Sequence, residues 1–150
     1  MSESGSYPIV GFHFMVKFAG MEESVDMGFQ EVSGLETTIE TEEFREGGNH
    51  AFVYHLPVKI KYTKLVLKRG LLTNSKLTKW VRDAVENFDI KPLQVTVSLL
   101  DETHTALMTW QVHQAWPVKW SVTGLNAQSN EVVVETLELA YANLRLKMKR

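Results

Sequence analysis

The sequence predicts a mainly β fold of the α+β class with one amphipathic helix. Apolar and polar residues alternate with a period of two in several segments, whereas helical spacing of apolar residues occurs in only one. Glycine, proline and short polar runs separate these segments. A chain of 150 residues and 17.1 kDa is long enough to bury one sizeable core. We therefore expect a single domain over residues 1–150.

The first half of the chain has the pattern of strands joined by turns. Phe14, Val16 and Phe18 alternate with other residues, as expected of a half-buried strand. Gly34 predicts a kink between two later strand segments, and the double glycine within residues 45–49 predicts an extended loop. The strands predicted in this half span residues 12–18, 27–32, 35–43 and 62–69.

One segment of the chain predicts a helix. Its apolar residues recur at intervals of three and one, which places them on a single stripe, and charged residues occupy the opposite face. Asn74 or Ser75 is suited to cap the N-terminus of this helix, and Pro92 follows it. The predicted apolar stripe consists of Leu77, Trp80, Val81, Ala84, Val85 and Phe88.

The second half of the chain predicts three strands, over residues 93–101, 105–116 and 130–141. In the first two, one face is apolar and the other is polar, a pattern typical of antiparallel sheets with one core face and one hydrated face. From the residues alone, an ordinary solvent-exposed sheet accounts for this pattern. The polar faces carry Gln94, Thr96, Ser98, Thr109, Gln111 and His113.

Charge is distributed unevenly along a chain whose net charge is only −2. Residues 1–50 contain ten acids and two bases, whereas residues 51–70 contain five bases and no acid. Segments of opposite charge provide complementary surfaces for a neighbour, which can be another copy of the same chain. Residues 142–150 form a basic C-terminal tail and residues 1–11 a polar N-terminal arm in this interpretation.

The residue inventory argues against catalysis and cofactors. The chain has no cysteine, and its five histidines include no pair at metal-ligand spacing. No phosphate-binding glycine motif and no G-x-S-x-G elbow are present. Glu42 and Glu43 are adjacent in a predicted strand and therefore point to opposite faces, where they cannot share an ion. We predict no enzyme activity, no metal and no cofactor.

Partners and location are constrained by the same composition. The near-neutral net charge, with no interleaving of basic and aromatic residues, predicts no specific nucleic acid partner. The polar N-terminal segment lacks the apolar core of a signal peptide, and no apolar run approaches the ~20 residues that a membrane span needs. We expect synthesis in the cytoplasm, with any export occurring as part of a larger particle.

Several short segments of the chain form an ordered series. They are F-x-E-V-S-G-L at residues 29–35, E-x-R-E-G-G at 43–48, L-P at 56–57, L-x-L-K-R-G at 65–70, M-T-W-Q-V at 108–112, A-W-P-V-K at 115–119 and N-E-V-V-V-E-T-L-E-L-A-Y at 130–141. No single segment is specific, but their ordered occurrence at these spacings covers nearly the whole chain. In this order they resemble the inner-tube proteins of contractile phage tails and of extracellular contractile injection systems.

The resemblance implies a split antiparallel β-barrel or sandwich with one peripheral amphipathic helix, assembling into ring-shaped oligomers. It further implies stacked homohexameric rings with a central channel, a surrounding sheath protein, baseplate and tube-terminator proteins, and cargo in the lumen. In such a particle the six polar side chains of the second half would line the channel. An inter-ring or subunit interface would involve Glu42, Glu43, Arg45, Glu46, Gly47, Gly48, Lys59 and Lys61.

Three functions remain open at this point. The first is a structural tube subunit that conducts cargo without chemistry. The second is an adaptor ring of the same family that initiates the tube at the baseplate. The third is a free-standing β-sandwich module that binds carbohydrate or peptide, which the absence of an evident aromatic platform disfavours. Phage tail or injection system, and release of the particle outside the cell, are likewise left open.

Overall fold

The computed structural model describes residues 11–21, 28–45, 47, 52–72, 74–128 and 131–148. Nine strands and one helix lie within these residues. In chain order they are β1 (His13–Phe18), β2 (Glu31–Ser33), β3 (Thr37–Phe44), β4 (Tyr54–Tyr62), β5 (Leu65–Gly70), α1 (Lys76–Asn87), β6 (Leu93–Leu100), β7 (Ala106–Val122), β8 (Val134–Ala140) and β9 (Asn143–Met148).

Two antiparallel sheets share the long strand β7. The first, here called sheet A, has the strand order β1-β6-β7-β9 and uses the N-terminal half of β7. The second, sheet B, has the order β7-β8-β5-β2 and uses the C-terminal half. All the pairings are antiparallel. The residue patterns predicted the mainly β fold with one helix, and the family resemblance implied the split antiparallel architecture.

The change from sheet A to sheet B occurs where β7 bends. Gln114 has a positive φ of 58° at that position, and the partner strand breaks there as well, between β8 and β9. The amide of Ala142 in the break donates to the carbonyl oxygen of His113 at 2.8 Å, which keeps the two halves in register. Because strand β7 is 17 residues long, one continuous segment contributes to both sheets.

The core lies between the apolar faces of the sheets and the helix. Val16, Val95, Val97 and Val112 from sheet A are at most 2% exposed. The helix adds a buried stripe in which the Trp80 ring packs 5.9 Å from that of Phe18 and its indole N–H donates to the carbonyl oxygen of Lys91 at 2.8 Å. Sheet B contributes Leu65, Leu67, Leu137 and Leu139.

The helix differs from its prediction at the C-terminal end. Ser75 caps the N-terminus, accepting from the amide of Thr78 at 3.1 Å, as expected. The helix ends at Asn87, however, and Phe88 adopts a left-handed conformation that turns its side chain away from the stripe. Phe88 is 85% exposed and Val85 is 44% exposed, so of the predicted apolar stripe only Leu77, Trp80, Val81 and Ala84 are buried.

A buried ion pair ties sheet B to the helix. Arg69 on β5 lies in register with Glu135 on β8, and Arg69 Nε donates to Glu135 Oε1 at 2.6 Å. The second carboxylate oxygen accepts from the indole N–H of Trp120 at 3.2 Å. The Arg69 guanidinium also reaches Ser75 Oγ at 3.5 Å and lies over the ring of Phe29. Both charges are therefore satisfied by several partners, which burial requires.

Strand β4 was not predicted from the sequence. Residues 62–69 were expected to form one strand, but β4 ends at Tyr62 and β5 begins at Leu65. Residues 54–62 instead pair with β3 in a separate two-stranded sheet, here called the arm. Gly34 precedes the arm with a φ of +90°, and a Cβ there would lie 2.1 Å from the carbonyl oxygen of Lys64. Only glycine fits this kink, whose position the sequence did predict.

Strand β9 was also missed. Residues 143–148 belong to the segment predicted as a basic C-terminal tail, yet they form an edge strand that pairs with residues 108–113 of β7. Its alternation of apolar and basic residues is the period of a strand with one inward and one outward face. Residues 1–10 of the predicted N-terminal arm lie outside the described part of the chain.

Candidate assembly surfaces

The six predicted channel-lining residues share one face of sheet A. Thr96 lies opposite Gln111, and Ser98 opposite Thr109, with the two hydroxyl oxygens 3.4 Å apart. Gln94 and His113 lie two residues further along the same strands and have the same orientation by alternation. The opposite face holds the buried valines of the core. The structure therefore brings all six side chains together, on a surface that the folded chain leaves accessible to water.

The edge strands add cationic residues that the sequence analysis did not assign to this face. Lys17 on β1 lies opposite Thr96, and Arg145 and Lys147 on β9 lie opposite Gln111 and Thr109. All three bases are exposed. The period-two alternation of both segments was visible in the sequence. The sequence does not show that residues 143–148 form a strand next to β7.

Sheet A has two open edges. Among the described strands, β1 pairs only with β6, and β9 pairs only with β7. Successive strands of the sheet run in opposite directions, so the two edge strands also run in opposite directions. Copies related by rotation can therefore join β1 of one to β9 of the next and continue the antiparallel pattern. An open groove of about 560 Å³ adjoins the β1 edge, lined by residues that include Lys17, Gln94 and Thr96.

The arm exposes apolar side chains on both of its faces. Opposed residues in an antiparallel pair share a face, and the register shifts by one between Glu40 and Thr41, leaving Val58 as the extra residue. The shift moves the exposed apolar side chains from one face to the other along the arm. Those near the base are Ile39 and Ile60, and those near the tip are Phe44, Tyr54 and Leu56.

The charged residues of the arm are partly paired within the chain. Lys59 Nζ lies 3.4 Å from one carboxylate oxygen of Glu40, and Lys61 Nζ lies 4.0 Å from the other. Such exposed pairs each contribute only ~0.2–1 kcal/mol. These lysines were predicted to meet acids of a neighbouring subunit, and that role stays a prediction. The arm also carries Glu42, Glu43 and Arg45, all exposed, while Glu46 and Gly48 lie outside the described residues.

The base of the arm is fastened to sheet B by two tyrosines. The rings of Tyr62 and Tyr141 pack 5.6 Å apart, and the Tyr141 hydroxyl donates to the carbonyl oxygen of Thr63 at 2.5 Å. Burial raises the pKa of the Tyr141 phenol above its ordinary value, with further contributions from Tyr62 and Glu36. The arm is thus held at its base while the rest of it projects from the body of the molecule.

The described residues provide no metal site. No group of three or more histidine, aspartate or glutamate side chains in them is arranged to hold an ion. No helix within this part of the chain is long and apolar enough to cross a membrane. The described residues present two kinds of surface to a neighbour: the polar face and edges of sheet A, and the arm.

Comparison with protein families gives a match over almost the entire chain. Residues 10–145 match the model of the T4-like virus tail tube protein gp19 family. The chain belongs to this tail-tube family. Its members are structural proteins, which agrees with the prediction of a non-enzymatic building block. A comparison with curated protein sequences found no match.

Solved structures of contractile systems contain similar chains. One in the cryo-EM structure of the anti-feeding prophage (AFP) baseplate, 6-fold symmetrised, is 31% identical, with a TM-score of 0.82 over 95% of this chain and 97% of that one. One in the extended sheath-tube complex of the PVC extracellular contractile injection system is 23% identical, with a TM-score of 0.79 over 99% and 100%. The tail-tube chain is thus a tube-like protein of contractile injection systems.

The fold extends to more distant proteins. Hcp1 from Flavobacterium johnsoniae is 13% identical and has a TM-score of 0.59 over 91% of this chain and 95% of its own. At this identity the likeness concerns the fold alone. It nevertheless confirms the mainly β architecture with one helix that the alternating patterns predicted.

Proposed function

We propose that the chain is an inner-tube subunit that forms stacked hexameric rings around a central channel for cargo. The observation that carries this proposal is the pair of open, oppositely directed edges of sheet A. Joining β1 of one copy to β9 of the next removes both edges, and a head-to-tail contact of this kind closes into a ring. Six copies per ring is the symmetry named for the AFP baseplate structure that contains a 31% identical chain.

In this ring the polar face of sheet A lines the channel. Support comes from the burial of the opposite face, which is occupied by the core and the helix and cannot face water. The arm then projects out of the ring, and its two apolar patches require two different covering surfaces. Copies in the next ring and in the same ring provide them. The predicted interface residues of the arm, among them Glu42, Glu43, Lys59 and Lys61, thereby contribute to stacking as well as to lateral contact.

The partners of such a ring follow from its two ends and its outer wall. We infer a sheath protein outside the tube, a baseplate below it and a terminator above it. The PVC structure that contains a 23% identical chain is itself described as a sheath-tube complex. Such a particle is assembled in the cytoplasm where the chain is made.

An adaptor ring at the baseplate is a second candidate for the same fold. The observation that favours it is the higher identity, 31%, to a chain of the AFP baseplate structure, compared with 23% to a chain of the PVC sheath-tube complex. An adaptor forms one ring and stops, whereas a tube subunit continues to stack. Family membership leaves the free-standing binding module without support.

Negative-stain imaging of the purified protein separates these functions. A tube subunit gives tubes of stacked rings, an adaptor gives isolated rings, and a binding module gives monomers at every concentration. Monomers would contradict both candidates proposed here.

Cross-linking tests how the ring closes. The chain has no cysteine, so Met15→Cys on β1 and Lys147→Cys on β9 are unique reactive sites. With a short bis-maleimide, the double variant should give a ladder extending to six copies. A mixture of the two single variants should stop at dimers. A single variant that cross-links to itself would indicate a two-fold contact and would contradict the head-to-tail ring. Met15→Cys combined with Lys76→Cys on the helix is the control and should give no ladder.

A further inference from the structure

The polar face of sheet A carries positive charge and no negative charge. The four strand segments that form it, residues 13–18, 93–100, 106–115 and 143–148, contain no aspartate or glutamate. They contain three bases, Lys17, Arg145 and Lys147, and all three lie on the polar face. Among the ion pairs that the described residues form, none includes these three. Their charge is therefore available to a ligand.

The bases belong to two rows that cross the sheet in register. The first row runs Lys17, Thr96, Gln111, Arg145, and the second runs Met15, Ser98, Thr109, Lys147. With neighbouring strands about 4.8 Å apart, the Cα atoms at the ends of the first row are about 14 Å apart. Between them lie a hydroxyl and a carboxamide, which donate hydrogen bonds. Carboxylate groups spaced along an extended chain match this arrangement of cations and neutral donors.

We propose that these two rows, here called the cationic rows, bind acidic polypeptide, and that the cargo of the channel is acidic protein. The statement that the acidic polypeptide is cargo rests on the proposed function, since it takes the polar face of sheet A as the channel wall. A nucleic acid fits less well. Proteins that hold single strands combine positive charge with aromatic side chains on which bases stack. In the four strand segments of this sheet the phenylalanine and tryptophan side chains, Phe14, Phe18 and Trp110, lie on the opposite face from the rows.

Ring closure strengthens the argument for an anionic occupant. The three bases lie on β1 and β9, the two edge strands of sheet A. Joining these edges between copies brings two cationic strands side by side, and like charges opposite one another are destabilising. A polyanion in the channel would neutralise both. We therefore expect acidic polypeptide to lower the concentration of protein at which rings form.

The direct test measures binding of short fluorescent peptides to the wild-type protein, both assembled and as unassembled subunits. Poly-glutamate should bind at low ionic strength and dissociate at 1 M salt, where the Debye length falls to about 3 Å. A neutral peptide of glycine and serine and a poly-lysine peptide should not bind. Neutralising the rows in the variant Lys17→Gln, Arg145→Gln, Lys147→Gln should weaken poly-glutamate binding about tenfold, the change expected for three exposed charge contacts.

A matched control removes three exposed bases that lie outside these strands. The variant Lys64→Gln, Lys76→Gln, Lys79→Gln changes the net charge by the same amount and should bind poly-glutamate as the wild type does. Equal weakening by the two triple variants would overturn the proposal, because binding would then follow net charge alone. Absence of poly-glutamate binding would also overturn it. The three bases on the edge strands would then serve to prevent unwanted strand pairing. Tighter binding of oligo-thymidine than of poly-glutamate, lost in the first variant, would identify nucleic acid instead.

The peptide-binding test and the test of the proposed function can fail independently of each other. Imaging reports whether rings form, whereas fluorescence anisotropy on unassembled subunits reports whether the rows bind acidic peptide. Rings without peptide binding would overturn the cargo class and leave the tube function intact. Peptide binding to a protein that never forms rings would support the cationic rows and overturn the tube.

Discussion

At the scale of single residues, two neighbouring ion pairs on β5 show how burial determines the effect of losing one charge on the free energy of unfolding. Lys68 pairs with Glu31 at 3.2 Å with both side chains largely exposed, whereas Arg69 pairs with Glu135 at 2.6 Å with both nearly inaccessible. Sequence could not distinguish them, because each base is one residue from the other and the partners lie far along the chain. Only the fold shows that Arg69 faces the core.

The two pairs should respond differently to loss of the acid. Glu135→Gln removes the negative charge of the buried Arg69–Glu135 pair and should lower the free energy of unfolding by about 3–5 kcal/mol. The matched variant Glu31→Gln, at the exposed pair, should cost less than about 1 kcal/mol. Urea unfolding followed by circular dichroism measures both. Similar small losses in the two variants would mean that water reaches the Arg69–Glu135 pair.

Tyr141 makes the stability of the arm's base dependent on pH. Its phenol pKa is raised in the folded protein, mainly by burial, so folding favours the neutral, hydrogen-bonded form. The contribution is complete below the unfolded pKa of about 10 and is lost as pH rises through the folded value. Tyr141→Phe should lower the free energy of unfolding at neutral pH by about 0.5–1.5 kcal/mol and flatten its decline above pH 10. If the free energy of unfolding declines above pH 10 in this variant as it does in the wild type, another group causes the decline.

At the scale of elements, alternation predicted the faces of sheet A correctly, because one buried face imposes a strict period of two. The same rule failed for the arm. Strand β4 contains Pro57 and exposed apolar residues, and its register shift breaks the alternation. The prediction missed strand β9 for another reason. An edge strand at the end of the chain has few buried residues from which it could be recognised. In both strands no side chain is fully buried, so burial imposes little alternation on the sequence.

The faces of strand β6 can be tested by placing a charge on each. Thr96 is on the polar face, whereas Val97 is 2% exposed in the core. Thr96→Lys should therefore fold and remain in solution. Val97→Lys buries an unpaired charge at a cost of several kcal/mol, comparable to the ~5–15 kcal/mol stability of a domain, and should be insoluble. Equal solubility of the two would mean that the faces are assigned wrongly.

The arm should affect assembly without affecting the fold. Leu56 is 47% exposed near the tip of the arm, so Leu56→Gln should change the free energy of unfolding by less than about 0.5 kcal/mol. If neighbouring copies cover this side chain, the same variant should strongly reduce ring stacking, measured by sedimentation. Leu125→Gln, at a leucine that is 79% exposed outside the arm, is the control and should alter neither quantity. Normal tubes from Leu56→Gln would exclude the tip of the arm from the stacking contact.

At the scale of the whole molecule, the family could be predicted from the order of many weakly specific segments rather than from one strong motif. The family match over residues 10–145 confirms the family. The surfaces that distinguish this chain were harder to foresee. The cationic rows combine residues from strands β1, β6, β7 and β9, which are separated by up to about 130 positions in sequence. Their alignment is a property of register, and register becomes visible only in the fold.

We propose that sheet A forms the wall of a channel in a ring of this chain. A cryo-EM reconstruction of the assembled protein would show which surface faces this channel. We expect six-membered rings in which β1 of each copy pairs with β9 of the next, with Thr96, Gln111 and the cationic residues facing the bore. Rings lined by the helix or by sheet B, or a protein that stays monomeric at every concentration and salt, would contradict it.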